Sequence, residues 1–422
     1  MFAILKQRNY GLLFSGRIVT NIGDSIYFIA AMWLVYDLSG SAFYSGLAGF
    51  LTQIPNVLQF LIGPLVDRWP IRATLLWTQA LQAVLILIIP LAAWLDFLSV
   101  TLVLVIMPIL TSIDAFAYPT ETKALPLVLK KEELPAGNAL FSFAYQGVDL
   151  IFNAIAGVMI AFFGVTLLFI IDSLTFCLAF LLFSFLRIPH QKAQTKTSGT
   201  ARTALNSYFT ELKEGLKILF TTILSAALMG AVLCNLAIGA AMAVMPAFAD
   251  ERQGPAVYGL YLAAMSCGAL VGALLAASFS KLPIGKATIL TMFLASAIWA
   301  AAVFVPWTWL SVVLFGLAWV PVGCINVTFA TMLQTLLPVS LIGRVTSASA
   351  SFSTIAMPLG SLAGGYAATL IPVAWVFCAA GIGLALLSVT WLLYPKLRKL
   401  GPLASLSTEI IGLKDYSQQE TS

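Results

Sequence analysis

Apolar residues run along this chain in blocks of twenty or more, separated by short polar turns. Twelve blocks are legible, at 11–36, 43–65, 73–95, 98–120, 138–162, 165–187, 222–248, 256–280, 286–305, 308–331, 345–370 and 372–394. Each is long enough to cross a bilayer as a helix, which takes about 20 residues. One long polar stretch interrupts the series after the sixth block. The pattern therefore predicts an all-α integral membrane protein, with twelve transmembrane helices in two six-helix bundles. The predicted divisions are 1–187 for the amino-terminal bundle, 188–220 for a linker, 221–394 for the carboxy-terminal bundle and 395–422 for a disordered tail. From Thr203 the linker carries an apolar stripe, Leu205, Phe209, Leu212, Leu216 and Leu219, at helical spacing. This helix either lies along the membrane surface or extends the seventh span.

Composition removes the alternative of a water-soluble core. The chain is 60% hydrophobic and 9% charged, with a mean hydropathy of +0.98, against about 25% charged residues in soluble domains. The first apolar run is too long for a signal-peptide core, so it reads as a retained helix. With the amino terminus placed in the cytoplasm, 20 of the 22 Lys and Arg residues fall in inward segments. They are Lys6, Arg8, Arg68, Arg72, Lys123, Lys130, Lys131, Arg187 at the linker's edge and five within it, Lys281, Lys286, Arg344 and four in the tail. Arg252 falls outside and Arg17 lies within a span. This bias puts both termini inside and predicts a bacterial inner membrane or another energised membrane. The five cysteines all fall within spans without metal or disulfide spacing and read as packing residues.

Charges inside the spans are few and uneven. Arg17, Asp24, Asp114, Asp149 and Asp172 lie at membrane depth, with Glu121 at an inner end, and all belong to the first half. Such residues are costly in a bilayer and mark functional sites by default. Arg17, Asn21, Asp24 and Phe28 share one helical stripe, as do Gln146, Asp149 and Asn153. Asp24 and Asp149 lie near the midplane. Asp24, Asp149, Asp114 and Glu121 are the candidate proton-coupling carboxylates, with a structural role as the competing reading, evenly balanced for Asp149. Arg17 and Asp114 would form a gating charge pair if the first and fourth helices face each other. Alternatively, Asp114, Tyr118 and Glu121 form an inner exit rim. Asp172 reads as structural. The second half offers Asn235 and Asn326 as its polar spots, and Tyr27, Phe28, Tyr118, Tyr145, Phe152, Met242 and Trp319 would line a greasy pocket. The predicted substrate cavity thus draws on Asn21, Tyr27, Phe28, Tyr118, Gln146, Phe152, Asn153, Asn235, Met242, Trp319 and Asn326. Small-residue pairs, Gly268 with Gly272 and Gly360 with Gly364, fit close helix crossings.

The turn between the second and third blocks reads Gly63-Pro64-Leu65-Val66-Asp67-Arg68-Trp69-Pro70-Ile71-Arg72. It resembles the major facilitator superfamily signature G-x-L-A-D-R-x-G-R-[KR], departing from it at Pro70 and Ile71. The resemblance implies a conformational latch of Gly63, Asp67, Arg68 and Arg72 facing Arg344 at the start of the eleventh span. A topogenic basic turn with an Asp cap is the plainer alternative. The stretches YDLSGSAFYSGLAGF, AYPTETKALPLVLKKEELPAGNALFSF and RVTSASASFSTIAMPLGSLAGGY resemble the macrolide-efflux and enterobactin-exporter branch, which is of drug–proton antiporter type. The glycine-rich fifth-helix antiport motif is absent from GVDLIFNAIAGVMIAF.

The resemblance implies a 6+6 pseudo-repeat and a secondary exporter of amphipathic compounds, a macrolide, another drug or a siderophore, driven by protons. A lysophospholipid or other lipid translocator is the near alternative, since NIGDSIYFIA resembles that group. A channel or receptor is the alternative from another class. An enzyme is not expected: His190 is the only histidine, and no HExxH, GxSxG or P-loop occurs. Expected partners are the small substrate, protons and the bilayer. No nucleic acid, cofactor or metal is expected, and the scaffold implies a monomer.

Overall fold

The computed structural model describes residues 2–57, 69–188, 216–337 and 339–406. Among them every regular element is helical. Nine stretches among the described residues are long and apolar enough to cross a membrane, so the chain is a multi-pass membrane protein. The helices are α1 (Arg8–Ser39), α2 (Ala42–Val57), α3 (Ile71–Ile86), α4 (Ile88–Trp94), α5 (Val100–Asp114), α6 (Ala117–Val128), α7 (Leu134–Ser142) and α8 (Val148–Ser184). After the linker come α9 (Leu224–Asp250), α10 (Pro255–Phe279), α11 (Ile284–Phe304), α12 (Thr308–Leu336), α13 (Val339–Ala367) and α14 (Val373–Leu393). Residues 216–221 are helical; the rest of the amphipathic stripe from Thr203, and the tail from residue 407, lie outside the described residues.

Local chemistry explains where helices break. A proline ring clashes with the carbonyl four residues back and supplies no N–H. Pro90 opens the turn at Leu87 between α3 and α4, and Pro119 the turn at 115–116 between α5 and α6. Each pair still forms one apolar span, Ile71–Trp94 and Val100–Val128. Between α7 and α8, Phe143–Gly147 winds as a π-helix. Gly164, at φ +72°, is the one non-helical residue within α8. A side chain is strained at that φ, so glycine permits a reversal one residue long between the two apolar blocks.

Small residues then let helices meet closely. A Cβ at Gly268 or Gly272 of α10 would overlap the Gly316 or Val320 carbonyl of α12. A Cβ at Gly360 or Gly364 of α13 would overlap Leu236 or Ala240 of α9. The cysteines are all free. Cys234 and Cys324 are buried packing residues, but Cys177 and Cys267 lie on exposed helix faces, which corrects the expectation of packing for those two. The carboxy-terminal helices close around an aromatic core. Trp299 is fully buried and donates its indole N–H to Phe377 O at 2.9 Å, and Tyr261 and Ser311 share a hydrogen bond of 2.6 Å.

The helices before the linker meet those after it along two seams, α2 with α13 and α8 with α10. The tightest contacts lie at the end remote from the amino terminus. There Ser361 donates to Gly46 O at 3.1 Å, and the backbones of Gly157 and Gly259 touch. Tyr36 donates to Asp250 at 3.1 Å, and the Trp33 and Tyr258 rings lie 5.8 Å apart.

Candidate functional site

Arg17 is the centre of the polar interior. Its residue is 2% exposed, and three carboxylates surround it. Nη2 lies 4.0 Å from Asp24 Oδ2, Nη1 3.8 Å from Asp114 Oδ1, and Nε 3.8 Å from Glu121 Oε2. The guanidinium also stacks on the Tyr145 ring, 3.6 Å from its centroid, a cation–π contact strengthened by desolvation. One cation thus faces three groups that can each hold or release a proton. Their proton count sets the net charge of the cluster.

The elements that build this cluster come from four parts of the chain. Helix α1 supplies the stripe Arg17, Asn21, Asp24 and Phe28, all of which line one cavity of about 340 Å³. The π-turn supplies Tyr145 and a reason for Asn21. A π-turn breaks the ordinary helical register and recurs at functional sites; here Asn21 Nδ2 donates to Ala144 O and Tyr145 O, both at 2.8 Å. Its Oδ1 accepts from Arg17. Asn21 therefore ties the cation to the π-turn. The break at 115–116 lets α5 and α6 contribute separately. Asp114 stays partly open, with a side chain 38% exposed, while Glu121 is fully buried. Sequence position suggested an inner-end rim for Glu121; the redirected α6 carries it into the interior instead.

The structure thus brings Arg17, Asp24, Asp114 and Glu121 together. Tyr27 lines the same cavity, edge-on to Phe169 at 5.9 Å. Tyr118 is half exposed and reaches the cluster through Tyr145, 4.8 Å away edge to face. Phe152 packs against the main apolar core. The side chains of Gln146, Asp149, Asn153 and Arg344 lie outside the described residues, as do Gly63, Asp67 and Arg68. Of the expected latch, Arg72 is described, and its guanidinium donates to Ser184 O, joining α3 to the end of α8.

A second cavity, of about 350 Å³, lies among the carboxy-terminal helices. It takes in Asn235, Met242, Trp319 and Asn326, separate from the cavity of Asn21, Tyr27 and Phe28, together with Met265, Met292, Met357, Phe329 and Trp391. Asn235 Nδ2 donates to Ser353 O at 3.3 Å. Phe28, Gln53, Met242, Met357 and Ser361 line a narrow space between the two groups of helices. The polar and apolar chambers are therefore neighbours across the seam.

Several lining residues escaped sequence reasoning. Gln82 lines the polar cavity and is buried, on a face of α3 shared with the buried Thr78 and Gln79. Those three polar residues at helical spacing in an apolar span were a readable signal. Asp172 also lines the cavity and is fully buried. Its Oδ1 accepts from Thr175 at 3.2 Å, and Gly23 makes room, since a Cβ there would overlap that oxygen.

Two facing chambers inside a helical membrane bundle, one charged and one apolar, define a membrane transporter. The chain belongs to the transmembrane secretion effector family of the major facilitator superfamily, whose profile matches residues 1–411. It is 25% identical over 399 residues to the multidrug efflux pump Tap of Mycolicibacterium fortuitum, covering 92% of this chain and 96% of Tap. It is also 25% identical over 405 residues to the uncharacterized MFS-type transporter YvqJ of Bacillus subtilis, covering 93% and 94%. Among solved structures, a bacterial homologue of the iron transporter ferroportin in an inward-facing state superposes with a TM-score of 0.66 at 15% identity, covering 91% and 98%. A bacterial homologue of the lysosomal transporter Spinster, inward-facing and occupied, gives 0.67 at 12% identity, covering 91% and 95%. These two likenesses concern the fold alone.

Proposed function

We propose that this transporter exports amphipathic small molecules by proton-coupled antiport, using alternating access of two six-helix bundles over twelve spans. Its home is the bacterial inner membrane, with both termini cytoplasmic. The observation that carries this reading is the buried Arg17 with Asp24, Asp114 and Glu121 around it, open to a cavity that adjoins an apolar chamber. Proton arrival at a carboxylate changes what Arg17 is balanced against, and so changes the relative free energy of two bundle arrangements. A ligand can shift such an equilibrium only by its differential affinity for the two states. Proton and substrate that favour opposite states would then drive each other in opposite directions.

With the termini inside, the seam at the Ser361–Gly46 and Gly157–Gly259 contacts closes the outer end, and the conformation is inward-facing. The outward-facing state would be held by the latch of Asp67, Arg68 and Arg72 against the start of α13 near Arg344. The Tap likeness supports drug-like substrates.

Reconstitution into proteoliposomes tests this. With a macrolide and a panel of lipophilic dyes as probes, an imposed pH gradient should drive uphill transport. Asp24→Asn should lose that uphill movement while keeping downhill exchange accelerated by substrate on the far side. Wild-type transport indifferent to the gradient would remove proton coupling. Flux without counter-substrate acceleration would point to a channel instead.

A further inference from the structure

A second, unrelated feature lies at the terminus-side end of the carboxy-terminal helices. Lys286, near the start of α11, and Arg398 and Lys399, just beyond α14, border a groove of about 540 Å³. Its floor is Ile289, Leu290, Phe293 and Leu392. We propose that this groove is a binding site for an anionic phospholipid, with the phosphate on the three cations and an acyl chain on the floor.

The cations are held there by backbone architecture. Ile284 N–H donates to Gly401 O and Gly285 N–H to Leu400 O, both at 3.2 Å, and Leu403 N–H donates to Ser280 O at 3.0 Å. These bonds dock the segment after α14 onto the turn before α11. Gly285 permits the approach, since a Cβ would overlap the Leu397 and Arg398 carbonyls. Three positive groups are thereby gathered at one site.

The chain itself supplies little to neutralise them. From Arg252 to Thr408 there is no Asp or Glu, so an anion must come from elsewhere. The floor decides which kind. Leu290 is 71% and Phe293 61% exposed, yet both lie within an apolar span, Ile284–Phe304. Leu290 and Phe293 sit four and seven residues beyond Lys286, about 6 and 10 Å deeper at 1.5 Å per residue. An occupant must offer negative charge at the membrane surface and hydrocarbon directly beneath it. Basic pockets between transmembrane helices meet lipid headgroups in this manner.

Native mass spectrometry of the full-length protein, titrated with phosphatidylglycerol and with phosphatidylcholine, tests the proposal. Phosphatidylglycerol should bind preferentially, and the variant Lys286→Gln/Arg398→Gln/Lys399→Gln should weaken it by about a hundredfold, at about fivefold per cation. Lys281→Gln/Lys396→Gln, which removes charge at the same end but outside the groove, should change it by less than the single substitution Lys286→Gln. Phe293→Gln should weaken phosphatidylglycerol binding although it removes no charge. Equal loss per charge in both cation variants would overturn the site in favour of diffuse attraction. Inorganic phosphate binding as well as the lipid would make it a free-anion site. Lipid binding that emerges only in Glu409→Gln/Asp415→Asn/Glu420→Gln would make the chain's own tail the occupant.

Discussion

The two chambers of this transporter are nearly equal in size and opposite in chemistry. The amino-terminal one holds a buried arginine, three carboxylates and two glutamines among its lining. The carboxy-terminal one holds four methionines, two tryptophans and two asparagines. Polar chemistry is specific because each group needs a partner at fixed geometry. Thioether side chains are flexible and polarizable, and they repack around different shapes. On the proposed function the contrast divides the labour: one side would carry charge and its changes, the other would accept hydrophobic bulk. Gln53 and Phe28 on one side and Met242 and Met357 on the other meet at the seam, where a substrate with both characters would touch both.

Removing the single cation should have the largest effect on that contrast. Arg17→Leu leaves Asp24, Asp114 and Glu121 facing one another and takes from Asn21 the donor to its Oδ1. Breaking a buried ion pair by removing one partner costs about 3–5 kcal/mol. Thermal unfolding in detergent should show that loss, and proteoliposome transport should vanish. Arg17→Lys should recover stability only in part, because an ammonium has no planar face for Tyr145 and no fork to span three carboxylates. An Arg17→Leu protein as stable and active as wild type would mean the polar chamber is incidental.

This central cluster was partly legible in advance. The stripe Arg17, Asn21, Asp24 and Phe28 follows from helical spacing alone, and it does line one cavity. The proximity of Arg17 to Asp114 depended on α1 and α5 facing each other, and they do. What one helix at a time does not reveal is a change of register. The π-turn at Phe143–Gly147 has no proline to announce it, yet it positions Tyr145 and receives Asn21. The break at 115–116 was announced by Pro119, but its consequence, the burial of Glu121, depends on what α6 packs against. Likewise Met265, Met292 and Met357 lie on different helices and become one surface only through tertiary packing.

The second way to break the contrast is to import charge into the apolar side. Asn235→Asp removes the amide that donates to Ser353 O and places a carboxylate among methionines and tryptophans. No acidic residue occurs there, and an uncompensated charge in an apolar site is costly. Transport of neutral hydrophobic probes should fall by about tenfold, equivalent to about 1.4 kcal/mol of lost interaction, while Asn235→Ser should be mild. Initial rates over a series of dyes of equal size and differing charge would measure this. If neutral and cationic probes decline equally, the chamber discriminates by shape rather than polarity.

The smallest expected effect sharpens the contrast rather than breaking it. Met242 lines both the apolar chamber and the seam, so it would meet a substrate bridging the two. Met242→Leu nearly conserves volume, and such swaps usually cost under about 1.5 kcal/mol, so folding should survive unchanged. Leucine lacks the extra rotatable bond and the polarizable sulfur that let methionine follow different shapes. The expected result is a two- to threefold spread in relative KM, about 0.4–0.7 kcal/mol, with bulky, branched probes losing most. Competition assays that pit one probe against another in the same vesicles resolve differences of that size. Met292→Leu is the matched control, because Met292 belongs to the apolar chamber, is 1% exposed and is absent from the seam lining. If both substitutions shift the probes alike, adaptability belongs to the chamber as a whole. A shift confined to Met242 would locate it at the seam.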